Sequence, residues 1–259
     1  MLVVYRSTEL HSRCFALVFQ LAVADCLVGV AYLLTGVKRV VRLAWQWDEV
    51  ATQRWCCLEM RPLYFALNGS ILLALEVGLD RYQALFMPIH YIKADARSFT
   101  WSVSVVAWLY SFVDSLTIFY GTSTTQLITN CFILFVATPS FYEYQVYHKL
   151  GLVTLIFIMY IGLLIGILVR VQNAKRRNED VCEVKKRIGV RVASMLTVVA
   201  VMYLTTQMAS RGLLALLVAV APTRRLEYGP LLRCVIVANS ALNFAVYLLG
   251  TNRSRWMLD

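Results

Sequence analysis

The sequence predicts an all-α protein that crosses a membrane several times, and three observations carry that prediction. Of 259 residues, 59% are hydrophobic and only 15% charged, where a soluble domain has about 25% charged. The apolar residues are gathered into six long runs, and mean hydropathy is +0.64. None of the runs alternates apolar and polar side chains as membrane-barrel strands do. Helices, which satisfy their own backbone hydrogen bonds, are then the remaining way across lipid.

A helix needs about 20 mostly apolar residues to span the hydrocarbon core. Stretches 14–37, 62–79, 99–121, 150–169, 192–221 and 231–250 qualify. The first carries a single charge, Asp25, in LAVADCLVG. The second runs into LEVGLDRYQALFMPIHY, with Glu76, Asp80 and Arg81 at its end. The third is the most polar and holds Asp114, but neither Lys nor Arg. The fourth has no charge at all. Residues 1–5 read as the tail of a further apolar span, and MLVVYRSTEL has neither the length nor the basic leader of a signal peptide. No internal repeat or low-complexity tract stands out.

The net charge of +10 sits on residues that flank these runs, so it reads as an orientation signal. Placing the N-terminal stub inside puts Arg6, Arg13, Arg81, Lys93, Arg97, Arg253 and Arg255 on the cytoplasmic side. The loop after the fourth run joins them, with Lys175-Arg176-Arg177 and Lys185-Lys186-Arg187. That loop reads equally as a contact for a cytoplasmic partner and as a plain topology signal that binds anionic lipid. No nucleic-acid-binding motif accompanies the charge, so no nucleic-acid partner is expected. The seven cysteines form no CxxC pair and no zinc spacing. His11, His90 and His148 lie on separate loops or ends, and no HExxH, P-loop or nucleophile elbow occurs. The chain is not read as an enzyme. Asn68-Gly69-Ser70 has the pattern of a glycosylation sequon, but it lies inside a span, out of a transferase's reach.

Ionisable groups at lipid depth are costly and point to function by default. Asp25 by itself reads equally as a helix-packing carboxyl, and Asp80-Arg81 as a solvated helix end. Together they match something more specific. LAVAD with Asp25, Asp80-Arg81-Tyr82, Cys56 twenty-five residues before Arg81, Trp108 twenty-seven after it, and NSALNFAVY at 239–247 occur in order, each on its expected span. Pro88, seven residues past Arg81, adds a loop proline. The sequence resembles a rhodopsin-like (class A) G-protein-coupled receptor over nearly its whole length.

The resemblance implies a seven-transmembrane receptor bundle with about six complete helices present, forming one domain over 1–259 with its first helix truncated. It implies that Arg81 pairs with Asp80 at rest and swings toward a heterotrimeric G protein when active, with Tyr160 and Tyr247 closing in beneath. Asp25, Ser70, Asn239, Ser240 and Asn243 match positions that hold an allosteric sodium ion in many such receptors. One carboxylate with neutral oxygens suits a hard cation and would relieve a buried charge. A purely structural polar network is the competing reading. Cys131, in the long outer loop, would pair with Cys56, with the adjacent Cys57 as the alternative. Phe141, Tyr142, Tyr144 and Tyr147 are expected in that same loop, as a lid or as interface aromatics, and Trp45 and Trp47 in the first outer loop invite the same two readings.

Departures from the family pattern are equally specific. Phe244 replaces the final-helix proline, Tyr203 stands where a toggle tryptophan would sit, and prolines that usually bend four of the spans are missing. In these losses the chain is similar to divergent nematode serpentine chemoreceptors. An amine receptor would carry an aspartate at Leu63, and an opsin a lysine at Val237. Tyr203 is the other expected pocket residue, and Asp114, an unusual carboxylate deep in its span, is read as facing either the pocket or a neighbouring helix. Glu59, Arg61 and Arg211 are expected to snorkel to the interface. The implied protein is a multi-pass plasma-membrane receptor for an extracellular small molecule or peptide, embedded in the lipid bilayer. A truncated, non-signalling receptor fragment and a six-helix transporter or channel are the alternatives; the latter lacks an inverted repeat or paired charges along a pathway.

Overall fold

A computed structural model describes residues 13–45, 50–93, 96–128, 131, 138–176 and 209–220. Its elements run α1 (Arg13–Trp45), β1 (Ala51–Thr52), α2 (Gln53–Phe86), α3 (Pro88–Lys93), α4 (Ala96–Leu116), a 3-10 turn (Thr117–Phe119), β2 (Leu127–Ile128), α5 (Pro139–Arg176) and α6 (Ala209–Val220). Four helices among the described residues are long and apolar enough to cross a membrane. The run at 231–250 and most of that at 192–221 lie outside the described residues. So do Tyr203, Asn239, Ser240, Asn243 and Tyr247.

The helices outrun the apolar stretches that announce them, for local reasons. Beyond residue 37, α1 continues for two turns because Lys38 and Arg42, four apart and so on one face, both meet Glu59 of α2; the Arg42 Nη2–Glu59 Oε2 distance is 3.9 Å. Helix α2 starts at Gln53, well before the run at 62. Its N-cap Thr52 accepts a hydrogen bond from the Trp55 amide at 3.3 Å, and the helix passes through Pro62. Helix α5 starts at Pro139, eleven residues before its run. Pro fits the first helical position, where its missing N–H costs nothing, and the Thr138 hydroxyl caps it by accepting from the Phe141 amide at 3.4 Å. Phe141, Tyr142, Tyr144 and Tyr147 are therefore helical, a correction to the loop expected there. The two-residue antiparallel ladder pairing Ala51 with Ile128 and Thr52 with Leu127 is too short to leave a periodic signal.

Helix α2 is the axis of the bundle, packed against α1, α4 and α5. Lipid offers no hydrophobic drive between helices, so close approach at small residues supplies much of the packing. A Cβ on Gly69 would lie 3.0 Å from the Trp108 ring of α4. On Gly166 of α5 it would lie 2.6 Å from Phe86 Cζ. One core cluster gathers Leu17, Leu21, Ala74, Val77, Val153, Ile156 and Tyr160; the other surrounds Cys56 with Met60, Tyr64, Ile118 and Phe141. The large apolar side chains left outside, such as Leu33, Leu34, Val106 and Ile158, suit a lipid surround.

Candidate functional site

Four polar constellations interrupt this apolar bundle, all anchored on α2. At the end of α2 that leads into α3, the Asp80 side chain has no exposed surface. Arg81 Nη2 lies 3.4 Å from Asp80 Oδ2, and the Tyr91 hydroxyl of α3 donates to the same oxygen at 3.4 Å. Tyr91 reaches it because Pro88 opens a one-and-a-half-turn helix directly after α2. Tyr160 is buried on α5 opposite Gly78, where an added Cβ would lie 3.7 Å from its ring. Tyr160 is also within electrostatic reach of Arg81. Tyr82 points away, half exposed, with its ring 4.4 Å from that of Phe86.

In the middle of the bundle, the Ser70 hydroxyl donates to Asp25 Oδ1 at 2.6 Å, joining α1 to α2. Beside it, Trp108 Nε1 donates to Gln20 Oε1 at 3.3 Å, which ties α4 to α1. Glu76 is buried on α2, and its Oε2 has no hydrogen-bond partner among the described residues.

Asp114 is the third centre. It lies in the last turn of α4, buried, and collects neutral donors from two other helices. Asn68 of α2 donates at 2.5 Å, Tyr144 of α5 at 3.2 Å, and the Gln145 amide bridges both carboxylate oxygens at 3.3 and 3.4 Å. The Tyr144 ring stacks on His148 at 5.3 Å, and His148 Nε2 is 2.8 Å from the Tyr110 hydroxyl. Leu63 is buried on α2, five residues before Asn68. Asn68 and Gln145 were missed by sequence reasoning. Asn68 was visible only as a sequon, and Gln145 lay in what looked like a loop.

Replacing Asp114 with leucine is expected to lower stability by about 3 kcal/mol, because it strands the buried Asn68 and Gln145 amides. Asp114→Asn, which retains an acceptor, should cost well under half of that. Thermal unfolding midpoints of the two variants in detergent micelles check the ordering.

At the opposite end of α2, Cys56 is bonded to Cys131, with Cα atoms 5.0 Å apart; Cys57 is free and buried. Nearby charges are more engaged than snorkelling groups. Arg61 Nε donates to Ser115 Oγ at 3.4 Å, and its guanidinium lies 4.6 Å from the Phe112 ring centroid. Lys149 Nζ lies 4.4 Å from the Tyr64 ring centroid. Glu59 holds Lys38 and Arg42, and Arg211 is buried on α6. Glu59, Arg61 and Arg211 each pair or pack within the bundle.

Comparison with known proteins agrees with this geometry. The profile of the 7 transmembrane receptor (rhodopsin family) matches residues 1–247. The chain is 27% identical to the D(3) dopamine receptor of Mus musculus over 54% of its own length and 32% of that protein's. It is 28% identical to olfactory receptor 2T7 of Homo sapiens over 44% of its length and 35% of that protein's. With proteinase-activated receptor 4 of Mus musculus it shares 34% identity over 36% of its length and 22% of that protein's. It thus spans about a third or less of the length of these curated relatives. With a match over nearly the whole chain and a mostly helical, multi-pass bundle, the protein belongs to the rhodopsin family of seven-transmembrane receptors.

Proposed function

We propose that the protein is a G-protein-coupled receptor of the plasma membrane that senses an extracellular small molecule or peptide and signals through a heterotrimeric G protein. The observation that carries this reading is the Asp80–Arg81–Tyr91 latch. A carboxylate with no exposed surface holds a guanidinium at the mouth of the bundle and is itself held by a tyrosine from the following loop helix. Such a pair is bistable: releasing it frees a cation for a partner, at the cost of a buried charge that needs other compensation. An agonist that binds the released state better shifts the population toward it. Asp80→Asn weakens the latch without changing shape. It should raise agonist-independent nucleotide exchange on purified G protein several-fold, and basal exchange equal to wild type would refute the latch.

The ligand is better constrained by what Leu63 and Asp114 exclude. Leu63 offers no countercharge to a protonated amine, so similarity to a dopamine receptor does not extend to an amine ligand. Asp114 has its oxygens occupied by three neutral donors, which favours polar, uncharged ligand groups near Asn68, Tyr144 and His148. Asp25 and Ser70 present a carboxylate and a hydroxyl oxygen 2.6 Å apart, the donor types a hard cation takes. An allosteric sodium ion there would place positive charge beside Asp25. Sodium should therefore raise the thermal midpoint of the wild type relative to choline, and Asp25→Asn should erase the difference. A sodium effect that survives this substitution would move the site elsewhere.

A further inference from the structure

A cleft at the Cys56 end of α2 lies apart from the Asp80, Asp25 and Asp114 centres. It has a volume of about 410 Å³ and is lined by Thr52, Arg54, Trp55 and Leu58 at the start of α2, Phe119 of the 3-10 turn, and Thr124 of the loop leading to β2. That volume is within the range of small-ligand sites. Its walls are divided by chemistry. Trp55, Leu58 and Phe119 form an apolar surface, with Trp55 and Leu58 about half exposed. Arg54 is the one ionised side chain lining the cleft, and it makes no ion pair among the described residues. The nearby carboxylate of Glu59 is engaged by Lys38 and Arg42. The α2 N-terminal end adds partial positive charge.

We infer that this cleft is a second ligand site, which takes an anionic amphiphile: a singly charged carboxylate or phosphate on Arg54, with its apolar body along Trp55, Leu58 and Phe119. Position and charge pattern both favour such an occupant. The cleft lies at the N-terminal end of α2, beyond the apolar run that begins at residue 62, and a tryptophan such as Trp55 is typical of headgroup depth. A fully apolar ligand would leave the guanidinium unused, and a small free anion would leave the apolar wall wet. The site also bears on the outer loop. Thr52 belongs to β1, Thr124 leads into β2, and Cys56 next to Trp55 holds Cys131. An occupant braces both sides of that loop's attachment.

The test is binding alone, so it stands or fails apart from G-protein coupling. The full-length receptor in phosphatidylcholine nanodiscs is exposed to a diazirine analogue of oleate, irradiated, and mapped by peptide mass spectrometry. Labelling should fall on residues 52–58 and 119–124, and Arg54→Glu should reduce it at least tenfold while Arg54→Lys retains most of it. The uncharged alcohol counterpart of the probe should label at least tenfold less. Leu58→Trp, which fills an exposed part of the cleft, should also block labelling. Displacement by free oleate marks a soluble ligand, and displacement by phosphatidylserine in the disc marks a bilayer lipid; either supports the site. Labelling that is unchanged in Arg54→Glu, equal with the alcohol, displaced by neither competitor, or located elsewhere overturns it.

Discussion

Arg81→Ala is expected to reduce agonist-driven nucleotide exchange to background while receptor remains detectable at the cell surface. The guanidinium is one-quarter exposed at the end of α2, beside a fully buried carboxylate, which on the proposed function makes it the group both held at rest and accessible to a partner. Alanine removes the cation and also deprives the buried Asp80 carboxylate of its ion pair. That second effect costs about 1–3 kcal/mol of stability and would by itself lower signalling by lowering the amount of receptor. The two effects separate in the double variant Asp80→Asn/Arg81→Ala. Neutralising Asp80 removes the uncompensated charge and should restore the thermal midpoint, yet signalling should stay at background. Arg81→Lys should retain only part of the activity, because an ammonium keeps the charge but not the planar fork. Full signalling by the alanine variant would remove Arg81 from the mechanism.

The bundle was legible in the sequence because its signals are local. Six apolar runs, one carboxylate in LAVAD and the Asp80-Arg81-Tyr82 triplet each announce themselves within a few residues, and the spacing of Cys56 and Trp108 from Arg81 places two more. The start of α5 was also written locally, as Thr138-Pro139, a capping residue before a first-position proline, but the eye is drawn to the charge-free run eleven residues later. The Asp114 centre was different in kind. Its donors come from residues 68, 144 and 145, and no periodicity within one helix connects them. The same holds for Trp108 with Gln20 and for Tyr91 with Asp80: the partner is chosen by how helices cross, which apolar pattern alone does not state. Polar residues inside spans marked where such pairs would form without naming the pairs.

Cys131→Ser should produce the largest loss of stability. The bond closes a loop of 75 residues, and the chain-entropy model puts the stabilisation from such a link at about 4 kcal/mol. For a chain of this size that corresponds to a fall of about 10 °C in unfolding midpoint. The link also fixes the outer loop over the start of α2, and the other ties among the described residues there are short-range. The Ala51–Ile128 and Thr52–Leu127 ladder, the Gln53 amide to Gln126 carbonyl at 2.9 Å, and the Ser123 amide to Gln53 Oε1 at 2.7 Å are all within a few residues of one another. A ladder of two residue pairs is marginal in water, so these short-range bonds are a weak substitute for the disulfide. Surface expression of Cys131→Ser should therefore fall severalfold, and Cys56→Ser should match it. Cys57→Ser provides the discriminating control, since Cys57 is buried beside Cys56 but free. It should keep near-wild-type expression and protect Cys131 from alkylation as the wild type does. If Cys57→Ser instead exposes Cys131 to the alkylating reagent, the bond is to Cys57, and the geometry of the outer loop must be redrawn by one residue.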